Sequence, residues 1–188
     1  MRSRIGWTAL ALAVAVTATA VAQDQDQDPK QEQAQPQPAQ KPPCSAAEHR
    51  QFDFWIGDWA VTSGGEPAGT NSIHPVHGGC ALEENWQGTG EGGISGSSFN
   101  IYDNATGKWH QTWVDANGGL LQLDGGMVDG SMILGGQRPT RDGSGSATHR
   151  ITWTPNADGT VRQLWEASKD EGATWSVLFD GLYTRQAQ

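Results

Sequence analysis

The chain has 188 residues, with 12 Lys+Arg against 21 Asp+Glu and a formal net charge of −9. So acidic a balance argues against nucleic acid and anionic membrane surfaces as partners, because both select basic patches. The length suits one folded domain behind a leader.

The first 22 residues read as a signal peptide. Arg2 and Arg4 form a basic start, and an uncharged run rich in Ala, Val and Leu follows from Ile5. The run closes on Ala20-Val21-Ala22, the small-x-small pattern of a cleavage site. A retained membrane anchor is the alternative, but the Ala and Thr content makes the run weakly apolar. No Cys ends it, which argues against a lipid anchor. Residues 23–43 alternate Gln, Asp and Pro with almost nothing apolar, so this segment is expected to stay extended as a linker. No second stretch is long and apolar enough to span a bilayer. The expected location is periplasmic or secreted, with no stable membrane insertion after cleavage.

Residues 44–188 form the expected domain, with 8 Lys+Arg against 17 Asp+Glu. Its two cysteines, Cys44 and Cys80, most simply pair in an oxidising compartment, with free thiols as the alternative. Ser45-Ala46-Ala47-Glu48 has the capping-box pattern and predicts a short helix to about Phe52, placed to cover one end of the domain.

After Phe54 the apolar stretches are short, rich in Trp, Thr, Val and Ile, and bounded by Gly, Asn or Asp. That chemistry predicts ten strands, near 56–63, 69–77, 80–87, 94–103, 107–116, 120–128, 131–137, 146–154, 160–168 and 175–185. Short connections such as Gly64-Gly65 and Asp129-Gly130 imply an all-β, single antiparallel up-and-down meander. Closing it into a barrel removes the open edges.

Two hairpins share the pattern N-A-x-G-x-x-x-Q-x-W, at Asn104 to Trp113 and at Asn156 to Trp165. A strand period of two puts Gln111 with Trp113, and Gln163 with Trp165, on one face. A reused turn explains the pattern, and so do two Gln-Trp pairs facing a shared cavity. Ser168-Lys169-Asp170-Glu171-Gly172-Ala173-Thr174-Trp175 fits the Asp-box of sialidase propellers. A propeller needs several copies at a regular period, so a single copy reads as a turn.

The segment FDFWIGDW contains Gly57-Asp58-Trp59, similar to the G-x-W that opens the first lipocalin strand. With GGCALEENW, NIYDNATGKWHQTWVD, LDGGMVDG, HRITWTPNADGTVRQLWE and FDGLYTR, nearly all of 44–188 resembles a family of uncharacterised bacterial exported proteins, a domain of unknown function grouped with lipocalin-like barrels. The resemblance implies fold and compartment, and no ligand, reaction or catalytic residue. It also implies structural roles for Gly57, Trp59 and Arg185, with the Arg185 guanidinium lying across the Trp59 ring.

His74-x-x-His77-x-x-Cys80 has a spacing that suits a metal. Residues three apart on a strand point to opposite faces, however, so no metal is assigned. His110 and His149 are lone strand histidines, open to reading as haem ligands of a nitrobindin-type barrel or as satisfied polar groups; no cofactor is assigned. Glu83, Glu84, Glu91, Asp115 and Asp124 are scattered carboxylates, able to act as acid or base only if burial and pairing raise one of them. There is no G-x-S-x-G elbow and no phosphate-binding glycine motif.

Eight tryptophans in residues 44–188 serve either a filled core or a ligand cavity, which needs aromatic walls and a few fixed polar groups. The expected function is an exported binding protein for a small, mostly apolar ligand. The candidate ligand-binding residues are Glu84 and Trp86, Asn100 and Tyr102, Gln111 and Trp113, Gln163 and Trp165. The alternatives are an enzyme of isomerase or hydrolase type, using a buried carboxylate or His110, and a filled barrel acting as a structural or interaction module. The sequence sets no oligomeric state and no catalytic residue.

Overall fold

The computed structural model describes residues 41–90, 92–140 and 142–186. The signal-peptide reading at 1–22, most of the linker at 23–43, and Glu91 lie outside the described residues.

All ten expected strands form, within a few residues of their predicted ends. They are β1 (Gly57–Ser63), β2 (Glu66–Val76), β3 (Ala81–Gly88), β4 (Ser95–Asp103), β5 (Lys108–Asp115), β6 (Leu120–Val128), β7 (Ser131–Pro139), β8 (Ser146–Pro155), β9 (Val161–Ser168) and β10 (Ser176–Arg185). Each strand pairs antiparallel with its sequence neighbours, and β1 pairs with β10 to close the barrel. Trp59 stands opposite Arg185 in that closing pair. The turns succeed because Gly64, Gly65, Gly107, Gly130 and Gly159 supply the positive φ that tight hairpins require.

Alternation along the strands sorts side chains between interior and solvent. On β8, Ala147, His149, Ile151 and Trp153 are buried, with less buried residues between them. Leu121, Leu123, Met132, Leu134 and Val61 form the matching apolar interior on other strands.

The two ends of the barrel differ. One carries the β2–β3, β4–β5, β6–β7 and β8–β9 connections and is plugged by the N-terminal segment. The Phe52 ring stacks on Trp55 at 4.9 Å, and Trp109 and Trp153 meet Phe52 edge-on at 5.6 and 5.2 Å. The plug is also hydrogen-bonded to the wall. The Trp109 indole donates to the Glu48 carbonyl at 3.2 Å, and the Trp59 indole donates to the Trp55 carbonyl at 2.9 Å.

The plug corrects the expected capped helix over 45–52. The segment instead forms two 3-10 turns, Ala47–Arg50 and Asp53–Trp55. The residue preceding the first turn is Ala46, with no side-chain cap, so the capping box does not form. The reason is tertiary. The segment is tied at Cys44 and must enter β1 at Gly57, and between them it buries His49, Phe52 and Trp55. Two tight turns deliver those side chains to one side, whereas helical propensity over so few residues is weak.

The expected disulfide is present, joining Cys44 to Cys80 just before β3. It fastens the plug to the β2–β3 connection, where the Arg50 guanidinium also donates to the Gly79 carbonyl. The expected Arg185–Trp59 pair forms as well, with the guanidinium carbon 4.4 Å from the ring centroid. Gly57 sits at φ +140°, and a Cβ there would run into the Arg185 guanidinium. Glycine at this position therefore permits both the backbone turn and the stacked arginine.

Candidate functional site

The opposite end of the barrel is open. It leads into a cavity of about 360 Å³, between the apolar floor at Leu121 and Ile151 and the β3–β4 connection at Gly92, Gly93 and Ile94. Trp86 from β3, Trp113 from β5, Trp165 from β9 and Phe179 from β10 form its walls. Trp86 and Phe179 meet edge to face at 5.9 Å, a favourable aromatic arrangement.

Glycines on neighbouring strands make room for these rings. A Cβ at Gly69 would stand 2.7 Å from the Trp86 ring, and one at Gly96 would collide with the ring of Trp113. The two indoles thus lie flat on bare backbone, which leaves the barrel centre open. This is a case where a strand glycine marks close approach by a neighbour.

A belt of polar side chains runs around the interior beneath the rings. The Gln111 amide donates to Asn100 Oδ1 at 2.9 Å, and Asn100 Nδ2 donates to Ser98 Oγ at 2.9 Å. Ser98 Oγ donates in turn to Glu84 Oε2 at 2.5 Å. From the other side, Asn71 Nδ2 donates to Glu84 Oε1 at 2.7 Å. The Tyr183 hydroxyl donates to Gln163 Oε1 and accepts a longer bond from Asn71. Both arms that reach Glu84 end by donating to it.

Glu84 is 4% exposed, and among the described residues no ion pair includes it. Burial raises its carboxyl above the ordinary value of 4.5, against the opposing hydrogen bonds from Ser98 and Asn71. Burial also raises the Tyr183 phenol well above its ordinary value, and the nearby Glu84 charge adds to the effect. Asn71 Oδ1 is buried and has no hydrogen-bond partner among the described residues. The belt has acceptor capacity left beside Glu84.

Of the eight candidate ligand-binding residues, six line the cavity: Glu84, Trp86, Gln111, Trp113, Gln163 and Trp165. The two repeated Gln-Trp pairs therefore face one shared space. Asn100 is fully buried behind Gln111, in the belt. Tyr102 is a correction. It lies at the plugged end, 5.1 Å from the His49 ring and 6.2 Å from Trp109. Parity along β4 gives the face correctly, but two further residues carry the side chain about 6–7 Å down the barrel, beyond the cavity.

The other sequence candidates separate cleanly. His110 is on the outer face, paired with Asp124 at 2.9 Å and Thr112 at 2.8 Å, so it cannot serve chemistry inside the barrel. Cys80 is committed to the disulfide, and exposed His74 lies 3.4 Å from Asp58. Asp115 stands at the cavity mouth, and backbone N–H groups of Gly119 and Asn117 hold its carboxyl below the usual value.

Of the strand histidines, His149 is the interior one, 7% exposed. Its Nδ1 accepts a 3.0 Å bond from the Trp165 indole. Burial, with Arg138 adding to it, lowers its pKa from 6.5. A neutral ring that accepts at Nδ1 carries its proton on Nε2, which leaves no lone pair for a haem iron. His149 instead orients Trp165. Beyond it, a shallower groove of about 450 Å³ at the rim is bordered by Arg138, Thr140, Asp142 and Lys169, and shares Trp165 and Leu178 with the cavity.

Sequence reasoning missed Asn71, Ser98, Tyr183 and Phe179. Their strand parity was readable, but nothing local marks them as partners of Glu84 or as cavity wall. Fold and site together define a ten-stranded closed antiparallel barrel, plugged at one end and hollow at the other. Neither a protein-family model nor a curated protein matches the chain.

Proposed function

We propose that this protein is an exported, lipocalin-like binding protein, periplasmic or secreted, which holds a small ligand of mostly apolar body in the open half of its barrel. The observation that carries the reading is the cavity itself. It is closed below, open above, walled by four aromatic side chains and furnished with a few fixed polar groups. Its volume lies toward the lower end of the range of about 300–1,000 Å³ found for small-molecule sites. A filled structural barrel does not account for that space, nor for two glycines that keep it clear. Residues 1–22 act as the cleaved signal peptide and 23–43 as a spacer. The disulfide supports this compartment, since such bonds persist where the environment is oxidising.

A second reading has one observation in its favour. A buried carboxyl with a raised pKa is suited to general acid–base work, which would make the protein an isomerase or hydrolase acting through Glu84. Native mass spectrometry of the protein purified from its own exported compartment separates the two. The binding reading expects a start at Gln23 and an added mass that survives gentle purification and is lost on unfolding or in Trp113→Ala. A folded protein that takes up no small molecule, with wild type and Trp113→Ala indistinguishable, would sink it. Turnover of a bound compound, abolished in Glu84→Gln, would favour the enzyme.

A further inference from the structure

The belt beneath the cavity carries more information than its shape. A buried carboxylate is costly unless it is paired or hydrogen-bonded. Glu84 has two donors, Ser98 and Asn71, but among the described residues no cation. Among the described residues each of its oxygens accepts one side-chain hydrogen bond from the belt, short of the two that a carboxylate oxygen can take. Asn71 Oδ1 beside it has no partner among the described residues. Above Glu84 stand the indole faces of Trp86, Trp113 and Trp165 and the ring of Phe179. Aromatic faces are negative at their centres and attract a desolvated cation. Asp115 adds a second carboxylate at the mouth. Arg138 and Lys169 border the outer groove instead, and neither lines the cavity.

We propose that the ligand is a small organic cation, a protonated amine on an apolar or aromatic body, with its ammonium group at Glu84 and its body between the tryptophan rings. The inference rests on the binding reading and adds the charge of the ligand. The ammonium would supply the positive charge that Glu84 lacks and N–H donors for the unfilled acceptor positions. A neutral ligand of the same shape fills the same space but leaves Glu84 unpaired. A carboxylate ligand would set two like charges together in a buried site.

The direction of the hydrogen bonds supports the assignment. Gln111 donates to Asn100, Asn100 to Ser98, and Ser98 to Glu84, so each donor reinforces the next toward the carboxylate. The belt is therefore oriented to stabilise negative charge at one place. Burial raises the Glu84 carboxyl, and a bound ammonium would shift it back toward the charged form.

The test titrates the mature protein with two isosteric probes, phenethylamine and 2-phenylethanol, followed by tryptophan fluorescence and calorimetry. The amine is expected to bind at least about tenfold more tightly, the scale of one charge-assisted contact in a desolvated aromatic site. Glu84→Gln, nearly isosteric, should remove that advantage, so that amine and alcohol bind the variant with similar affinity. If the alcohol binds as tightly as the amine to wild type, the charge assignment is overturned and the binding reading stands. That comparison needs no variant, so it holds even if Glu84→Gln folds poorly. If amine affinity survives intact in a folded Glu84→Gln, the assignment to Glu84 is overturned. If neither probe binds saturably, this inference fails together with the binding reading.

Discussion

At the scale of single residues, Glu84 sets the chemistry of the interior, and its consequence for stability has a definite sign. Burial raises its folded-state carboxyl above the ordinary 4.5. The neutral form is therefore favoured in the fold, and that contribution is fully present below the unfolded value. It is lost as pH rises through the raised folded value, because the charge must then form in a buried site. Glu84→Gln lacks this ionisation. Denaturant melts of ligand-free wild type and Glu84→Gln should nearly coincide in acid, and diverge in favour of the variant as pH is raised above about 4.5. A difference that is constant with pH would show that Glu84 does not titrate in the fold. His149 has the opposite sign: its lowered pKa favours the neutral ring. Its contribution is present above 6.5 and lost as pH falls through the folded value, along with the acceptor that holds the Trp165 indole.

At the scale of elements, hairpins set up the site and glycines keep it open. The turn at Asn104 to Gly107 and the turn at Asn156 to Gly159 each launch a strand whose Gln and Trp face inward. Gly96, which pairs with Asp115, offers bare backbone beneath the Trp113 ring. Adding a methyl group in Gly96→Ala would bring it against the ring and the Val114 carbonyl. That overpacking should cost about 1–3 kcal/mol. It should also tilt Trp113 into the cavity, weakening any ligand bound there and shifting tryptophan emission. Unchanged stability and binding in Gly96→Ala would remove the seating role assigned to this glycine. The Asp-box segment illustrates the same economy in a turn. Asp170 accepts from Thr174 at its backbone and its hydroxyl, and from the Ser168 hydroxyl, and these bonds hold its carboxyl down to about 2. The result is a closed turn between β9 and β10, with Trp175 turned outward beneath the Arg150 guanidinium at 4.0 Å.

At the scale of the whole molecule, the barrel divides its labour along its axis. The plugged end holds the packed aromatic cluster, and the hollow end holds the cavity. The Cys44–Cys80 bond, with a sequence separation of 36, belongs to the plugged end. Replacing both cysteines by Ala should lower unfolding free energy by about 3–4 kcal/mol on the chain-entropy account, read by denaturant titration. Cavity binding at temperatures where the variant stays folded should be little changed, because neither cysteine lines the cavity. Loss of binding in a folded double variant would mean that the plug also sets the shape of the open end.

The strand positions, the meander and the inward-facing Gln-Trp pairs were readable from local chemistry. Turn glycines and a period of two act over a few residues and do not depend on what lies across the barrel. The disulfide was readable too, because only Cys44 and Cys80 were available to pair in the domain. Depth was not readable. Tyr102 has the same parity as Asn100 but belongs to the plug, since height in a barrel follows from strand stagger around the whole sheet. The N-terminal segment became two 3-10 turns because tertiary demands on Phe52 and Trp55 overrode a helical pattern. The belt around Glu84 needs Asn71 beside Tyr183, 112 residues away in the chain. Only closure of β10 against β1 brings that pair together, whereas Glu84 reaches Asn71 within the β2–β3 hairpin.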